Sequence, residues 1–207
     1  MDPRVTEFHC IMPLRNIPSV LEHGILSYEQ AAKLSHASVA MEEVQERRDQ
    51  KRVPNGLRLH QYANLYFHAR NPMLFKRKDQ AHELCVLCVS TQVATLAGVV
   101  FADCNASSDY VRFLAPSQWS LLPLADIYAM DWRHPDDPVA FYRHRSRKCA
   151  EVLVPHRVAR QFLIGAKVKD AATQAALTAM KVPFPVHIDP VLFFGSPSGA
   201  RLQGDAC

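Results

Sequence analysis

Apolar residues along this chain gather in short runs, each closed by a proline, a glycine or a polar turn. Glu7-Phe-His-Cys-Ile11 has the composition of a first strand. Asn16 then stands as an N-cap, Pro18 falls in a first turn, and Gly24 stops a short helix over residues 17–23. A second helix is predicted over residues 40–51, where Ala40, Met41 and Val44 make one narrow apolar face and the rest is charged or polar. Pro54-Asn-Gly56 marks a turn. Further strands are predicted over residues 62–69, 84–90, 98–101, 151–155 and 191–194, and an alanine-rich helix over residues 170–180. Between Cys104 and Lys148 the pattern dissolves into loops and short helices, broken by Pro116, Pro123, Pro135 and Pro138. A long irregular stretch inside a compact domain is usually functional. Short strands and helices without regular βαβ alternation predict an α+β fold rather than a doubly wound sheet.

Composition narrows the class. The length of 207 residues suits one domain, placed at residues 1–194, with a loose tail over residues 195–207. Hydrophobic residues make up 48% of the chain, enough for a real core. No apolar run approaches the ~20 residues of a membrane span. The polar opening Met1-Asp-Pro-Arg-Val-Thr-Glu is not an export signal. Twenty-four basic against 20 acidic side chains give a net charge of +4, which permits an anionic partner without demanding one. The cysteines, Cys10, Cys85, Cys88, Cys104, Cys149 and Cys207, show no secreted spacing. Cys85 and Cys88 lie three apart in a predicted strand, so they point to opposite faces and make a poor metal pair. Reduced thiols, a cytoplasmic location and no metal are expected.

Few residues carry chemistry by themselves. His9, in the first strand, is either a satisfied core residue or a ligand. Arg47 and Arg48 have local partners in Glu42, Glu43 and Glu46, yet Asp49-Gln-Lys-Arg52 adds more charge than a helix surface needs. Residues 62–73 are dense in aromatics and include Tyr66, His68, Arg70, Asn71 and Met73, followed by Lys76-Arg77-Lys78. Rings can stack bases and cations can neutralise phosphates, although a plain strand with a basic turn would look the same. Glu151 follows the basic run Arg143-His-Arg-Ser-Arg-Lys148 and opens an apolar strand, which fits either a cleft carboxylate or a strand-edge ion pair. A lone carboxylate does not suit glycoside hydrolysis. No glycine-rich phosphate loop exists among the seven glycines.

Four blocks in order, Gln45-Glu-Arg-Arg48, Leu59-His-Gln-Tyr62, Leu65-Tyr-Phe-His-Ala-Arg-Asn-Pro-Met-Leu74 and Lys148-Cys-Ala-Glu-Val-Leu-Val154, resemble the DarT proteins. These are the toxins of DarTG toxin–antitoxin systems, which ADP-ribosylate DNA bases using NAD. The resemblance spans roughly residues 7–160 and implies the ADP-ribosyltransferase (PARP-like) fold, a split mixed β-sheet with short helices around it. It implies Glu151 as the catalytic glutamate and Arg48 as the catalytic arginine, which also contacts NAD. His9, Cys10, Ile11, Ser19 and Ser27 fall on the family's NAD contacts, and residues 32–50 on the element closing over NAD. Residues 104–151 would present the DNA base. Tyr66, His68, Arg70, Asn71, Met73, Lys76, Arg77, Lys78, Arg145 and Arg147 are the expected contacts to single-stranded DNA. The implied partner is an antitoxin of the ADP-ribosylglycohydrolase type, and the toxin itself a monomer. Where the thymine-modifying branch typically reads His-x-Thr-His, this chain has His9-Cys-Ile-Met12, which likens it to the branch that modifies guanine.

Two readings from other classes stay open at this stage. A metal-free ribonuclease would use His9, His60, His68 and His144 as acid, base and phosphate stabiliser. A non-catalytic single-strand-binding module would use Tyr62, Tyr66 and Phe67 as its platform.

Overall fold

The structure, a computed structural model, describes residues 2–34 and 42–195. The chain forms, in order, β1 (Glu7–Pro13), α1 (Ile17–His23), β2 (Ile25–Leu26), α2 (Tyr28–Ala31), α3 (Glu42–Asp49), β3 (Tyr62–Tyr66) and α4 (Pro72–Lys76). It continues with β4 (Leu84–Ser90), β5 (Val100–Ala102), β6 (Phe113–Leu114), α5 (Leu124–Tyr128), α6 (Pro138–Arg147) and β7 (Glu151–Pro155). β8 (Arg157–Val158), β9 (Leu163–Val168), α7 (Ala171–Ala179) and β10 (Val186–Ile188) complete it.

Eight strands make one sheet in the order β10-β9-β4-β1-β3-β7-β5-β6, while β2 and β8 pair apart from it. All neighbours in the large sheet are antiparallel except β9 and β10, so the sheet is mixed and the fold is α+β, as expected. The decisive feature is the centre. β1 pairs with β4 over its whole length, but meets β3 at a single position, His9 opposite Tyr66. Beyond that point the two strands part, and the sheet is split.

Each face of the sheet buries its own set of side chains, as strand alternation requires. On one face Phe8, Phe67 and Phe101 pack edge to face, with centroids 5.1–6.2 Å apart, against Ile17 and Val20 of α1 and Ile127 of α5. On the other, Ile11, Tyr66 and Val86 pack with Leu74 of α4 and with Leu192 and Phe193. Gly24 ends α1 at φ +82°, and a Cβ there would lie 2.2 Å from the Val158 carbonyl oxygen, so the close approach to β8 needs glycine.

Three expectations are corrected. Residues 191–194 are not a strand: the Asp189 carboxylate accepts the Leu192 N–H at 2.9 Å, and the segment turns. The predicted strand 62–69 stops at Tyr66, because Asn71 accepts the Met73 and Leu74 N–H groups at 3.0 and 3.1 Å and starts α4. Pro138 does not break a helix but opens one, at the first position of α6, where its missing N–H costs nothing. Ala40 and Met41, the middle of the 32–50 element, Cys207 and all but Gly195 of the predicted tail lie outside the described residues. Among the described residues no helix is long and apolar enough to cross a membrane.

Candidate active site

The split opens a cleft of about 700 Å³ between β1 and β3, walled by α1, α2, α3, α6 and the loop after β5. Glu151 stands on its floor. It is the first residue of β7, directly opposite Tyr66 on β3 and Ala102 on β5, so neighbours on both sides fix its backbone. Its carboxylate accepts from Arg48 Nη1 at 2.9 and 3.2 Å and from the Ala106 N–H at 3.0 Å. Arg48 is only 5% exposed and Glu151 1%, a buried ion pair that joins α3 to the sheet. Arg47, next along α3, is exposed at the cleft wall. Burial and the Glu151 charge hold the Tyr66 phenol well above its usual range, so it stays a neutral hydroxyl. Cys10 and Cys149 also line the cleft, and burial pushes both thiols up to about 12, leaving them un-ionised.

Two elements form the outer wall. Tyr142, Arg145, Ser146 and Cys149 recur at i, i+3, i+4 and i+7 along α6 and just beyond, and this one stripe faces the cleft. The loop 103–112 faces it. Asp103 closes that loop by accepting from Arg112 N–H at 2.9 Å and Arg112 Nε at 2.6 Å. Lys51 holds its far side through the Ser108 carbonyl at 2.5 Å and Asp109 at 3.0 Å. The Asn105 N–H donates to the Ser146 carbonyl at 3.0 Å and ties loop to helix.

The family described as "ssDNA thymidine ADP-ribosyltransferase, DarT" matches residues 9–194. The chain belongs to the DarT family. A DNA ADP-ribosyl transferase–DNA ADP-ribosyl glycohydrolase fusion protein of Thermosipho africanus is 27% identical over 206 residues, covering 94% of this chain and 51% of the relative. The chain thus spans about half the length of that relative. The structure of Thermus sp. 2.9 DarT in complex with ADP-ribosylated ssDNA superposes with a TM-score of 0.78 at 25% identity, over 92% of this chain and 97% of the other. The same protein in complex with NAD+ gives 0.74 at 22%, over 93% and 99%, a likeness of fold.

Within this DarT frame the sequence-derived residues divide. Glu151, Arg48, Cys10, Ile11, Ser19, Tyr66, Met73, Lys76 and Arg145 come together on the cleft. Others do not line it. His9 is 4% exposed, behind the turn after β3: its Nδ1 accepts the Ala69 N–H at 3.2 Å, so Nε2 carries the hydrogen it shares with Glu7 at 3.0 Å. Burial depresses its pKa, against the opposing pull of Glu7. Ser27 caps α2 through the Gln30 N–H, and Asn71 caps α4. Arg70 donates to the carbonyls of Val191 and Met130 and covers the Phe194 ring. Arg147 pairs with Asp126 at 2.6 Å, Arg77 Nη1 donates to Gln80 at 3.3 Å, and Lys78 sits over Phe75. His68 accepts at Nδ1 from Lys148, and burial drives its pKa down to about 3. Lys148 is the end of the basic run, yet it is fully buried and also donates to the Ile127 and Ala129 carbonyls at 2.7 and 2.8 Å.

Neither rival class finds its site. No histidine lines the cleft among the described residues, and His60 and His144 are engaged with Tyr28 and His134. Tyr62, Tyr66 and Phe67 are 2%, 8% and 1% exposed, because β3 is a central strand covered on both faces, so no stacking platform exists there. Glu7, His9 and Cys88 bring possible ligand atoms within 4.8 Å of one another. They form a hydrogen-bonded chain instead of an open ligand set, since His9 Nε2 bears its proton and the Lys167 ammonium holds Glu7 at 2.6 Å. Sequence reasoning missed Tyr28 on the cleft, and it did not single out Asn105, Tyr110, Tyr142 or Ser146 within the 104–151 segment expected to present the base. The α6 spacing was a usable signal; loop residues such as Tyr110 carried none.

Proposed function

We propose that this protein transfers ADP-ribose from NAD to a base of single-stranded DNA, releasing nicotinamide. The observation that carries the reading is Glu151, held by Arg48 and the Ala106 N–H on the floor of the split-sheet cleft. Breaking the nicotinamide–ribose bond leaves positive charge on the ribosyl carbon. A pre-oriented, buried carboxylate stabilises that charge with little reorganisation. The Arg48 guanidinium is a poor proton acceptor, so its proposed role is to hold Glu151 and the anionic NAD. Cys10, Ile11 and Ser19 are proposed NAD contacts, the first two through their main chain. Tyr66 and Met73, which line the cleft, are proposed to meet NAD and the acceptor base, and Lys76 and Arg145 to neutralise phosphates. No metal enters this scheme.

The relatives support the substrates: Thermus DarT is named in complex with NAD+ and with ADP-ribosylated ssDNA. The acceptor base must leave its stack to reach such a cleft, which favours a single strand. For the base itself, the His9-Cys-Ile-Met12 segment supports guanine, and the family description supports thymine. A toxin of this kind would work in the cytoplasm against an ADP-ribosylglycohydrolase antitoxin, a pairing that the Thermosipho fusion carries in one chain. The test is mass spectrometry of oligonucleotides incubated with protein and NAD. A gain of one ADP-ribose is expected on strands containing guanine and none on guanine-free strands. Modification of a guanine-free, thymine-containing strand would establish the second reading. No gain on any strand would refute both.

A further inference from the structure

Tyr110 and Tyr142 are 91% and 64% exposed, yet both line the mouth of the Glu151 cleft. Neither side chain contributes to a buried hydrophobic cluster. Their supports are firm. Tyr110 rides on the loop closed by the Asp103–Arg112 pair and pinned by Lys51. Tyr142 stands on α6, whose end is tied to that same loop through Asn105 and Ser146. Cations share the rim: Arg145 lies one turn from Tyr142, with Arg47 and Lys76 on the facing walls. The rim's carboxylate, Asp109, is already paired with Lys51 at 3.0 Å.

Resting on the proposed transfer to single-stranded DNA, we infer that Tyr110 and Tyr142 are stacking surfaces for the nucleotides that flank the modified base. An aromatic face held rigidly beside a cation suits an unpaired base followed by its phosphate. Stacking on such a ring is tolerant of base identity but requires a base to be present. With the target base turned into the cleft, its neighbours lose their stacking partner, and the two rings replace it. The rim would thereby hold the strand open on either side of the reacting nucleotide.

The experiment is an abasic scan. A dye-labelled single-stranded oligonucleotide carrying the base that the wild-type protein modifies is titrated by fluorescence anisotropy without NAD, with abasic positions moved one at a time along the flanks. For wild-type protein, an abasic site at a stacked position should weaken binding about fivefold or more. Tyr110→Ala and Tyr142→Ala should each weaken the intact strand to a similar extent and become indifferent to the abasic site at their own position. Tyr110→Phe and Tyr142→Phe should retain wild-type behaviour, since the ring remains. Circular dichroism melting checks that each variant is folded. If the Ala variants bind every strand like wild type, or lose affinity while keeping full sensitivity at every abasic position, the inference is wrong, and the rim is better suited to a protein partner. Absence of any transfer by wild-type protein removes the parent reading and this one together. Transfer with unaffected variants removes only this one.

Discussion

Arg48 and Glu151 bring two opposite charges together under the cleft floor at 2.9 Å, and each is nearly inaccessible to water. Removing one partner strands the other, which for buried pairs typically costs about 3–5 kcal/mol. Arg48→Ala should therefore lower stability by about 3 kcal/mol as well as abolish transfer. Arg47→Ala, one position away and about 100° around the helix, should change stability by less than about 0.5 kcal/mol. Urea denaturation of the two variants decides the matter, and equal losses would contradict the buried pairing. Glu151→Gln keeps an oxygen for the Ala106 N–H but removes the charge. Transfer should fall on the order of 10²-fold or more, while NAD still raises the melting temperature. Near-normal turnover in Glu151→Gln would exclude the electrostatic role.

At the scale of elements, the rim cations proposed to meet phosphates come from two helices, Lys76 from α4 and Arg145 from α6. Each phosphate contact on a single strand contributes about −0.7 to the slope of log affinity against log salt. The double variant Lys76→Ala with Arg145→Ala should flatten that slope by about 1.4. Salt titrations of oligonucleotide binding give the answer, and an unchanged slope would make these side chains a solvated edge. Elements whose signals were local could be read before the structure. β4 and β7 came out to the residue, because their runs of Leu, Val and Cys allow no other reading. α1 and α7 did too, within a residue at either end, from Pro18 and Gly24 and from the alanine-rich run. β9 was missed because Gly165 and Lys167 interrupt it, and its worth as a strand comes from pairing with β4, eighty residues away in places. α6 was not placed because Pro138 was read as a breaker when it begins a helix, and α4 because residues 62–73 were read as a strand followed by a basic turn. Among site residues, Glu151 and Arg48 were legible through blocks of resemblance. His9, Asn71 and Arg70 are engaged inside the fold, as a hydrogen-bond acceptor, a cap and a clamp, a use that in one dimension looks like that of a side chain that greets a ligand.

The molecule as a whole carries an acid sensitivity built into its sheet. His9 and His68 are both held neutral by burial, the latter down to about 3. In the unfolded chain each would titrate near 6.5. Between those values the unfolded state binds protons that the native state refuses, so stability falls as pH drops below about 6.5. From pH 6.5 to 5.5 His68 contributes a loss of about 1 kcal/mol, and His9, also held below its usual value by burial, adds to the loss in the same direction. Glu7, lowered to about 2 by its bonds to His9 and Lys167, adds to the loss only at lower pH. Denaturation at the two pH values measures this, and equal stabilities would show that the imidazoles protonate inside the fold.

The parting of β1 from β3 after one residue pair has a bearing on selectivity. Along Cys10, Ile11, Met12 and Pro13, main-chain groups that would have bonded β3 look into the cleft instead. A ligand seated there reads peptide bonds, which every relative possesses whatever its side chains. Side chains of this strand that do not pack into the core, as Cys10 and Ile11 do, can then change at little cost to contacts made through the main chain. Discrimination between relatives has to be sought at the rim, where Tyr110, Tyr142 and Arg145 face the solvent side of the cleft with side chains rather than backbone.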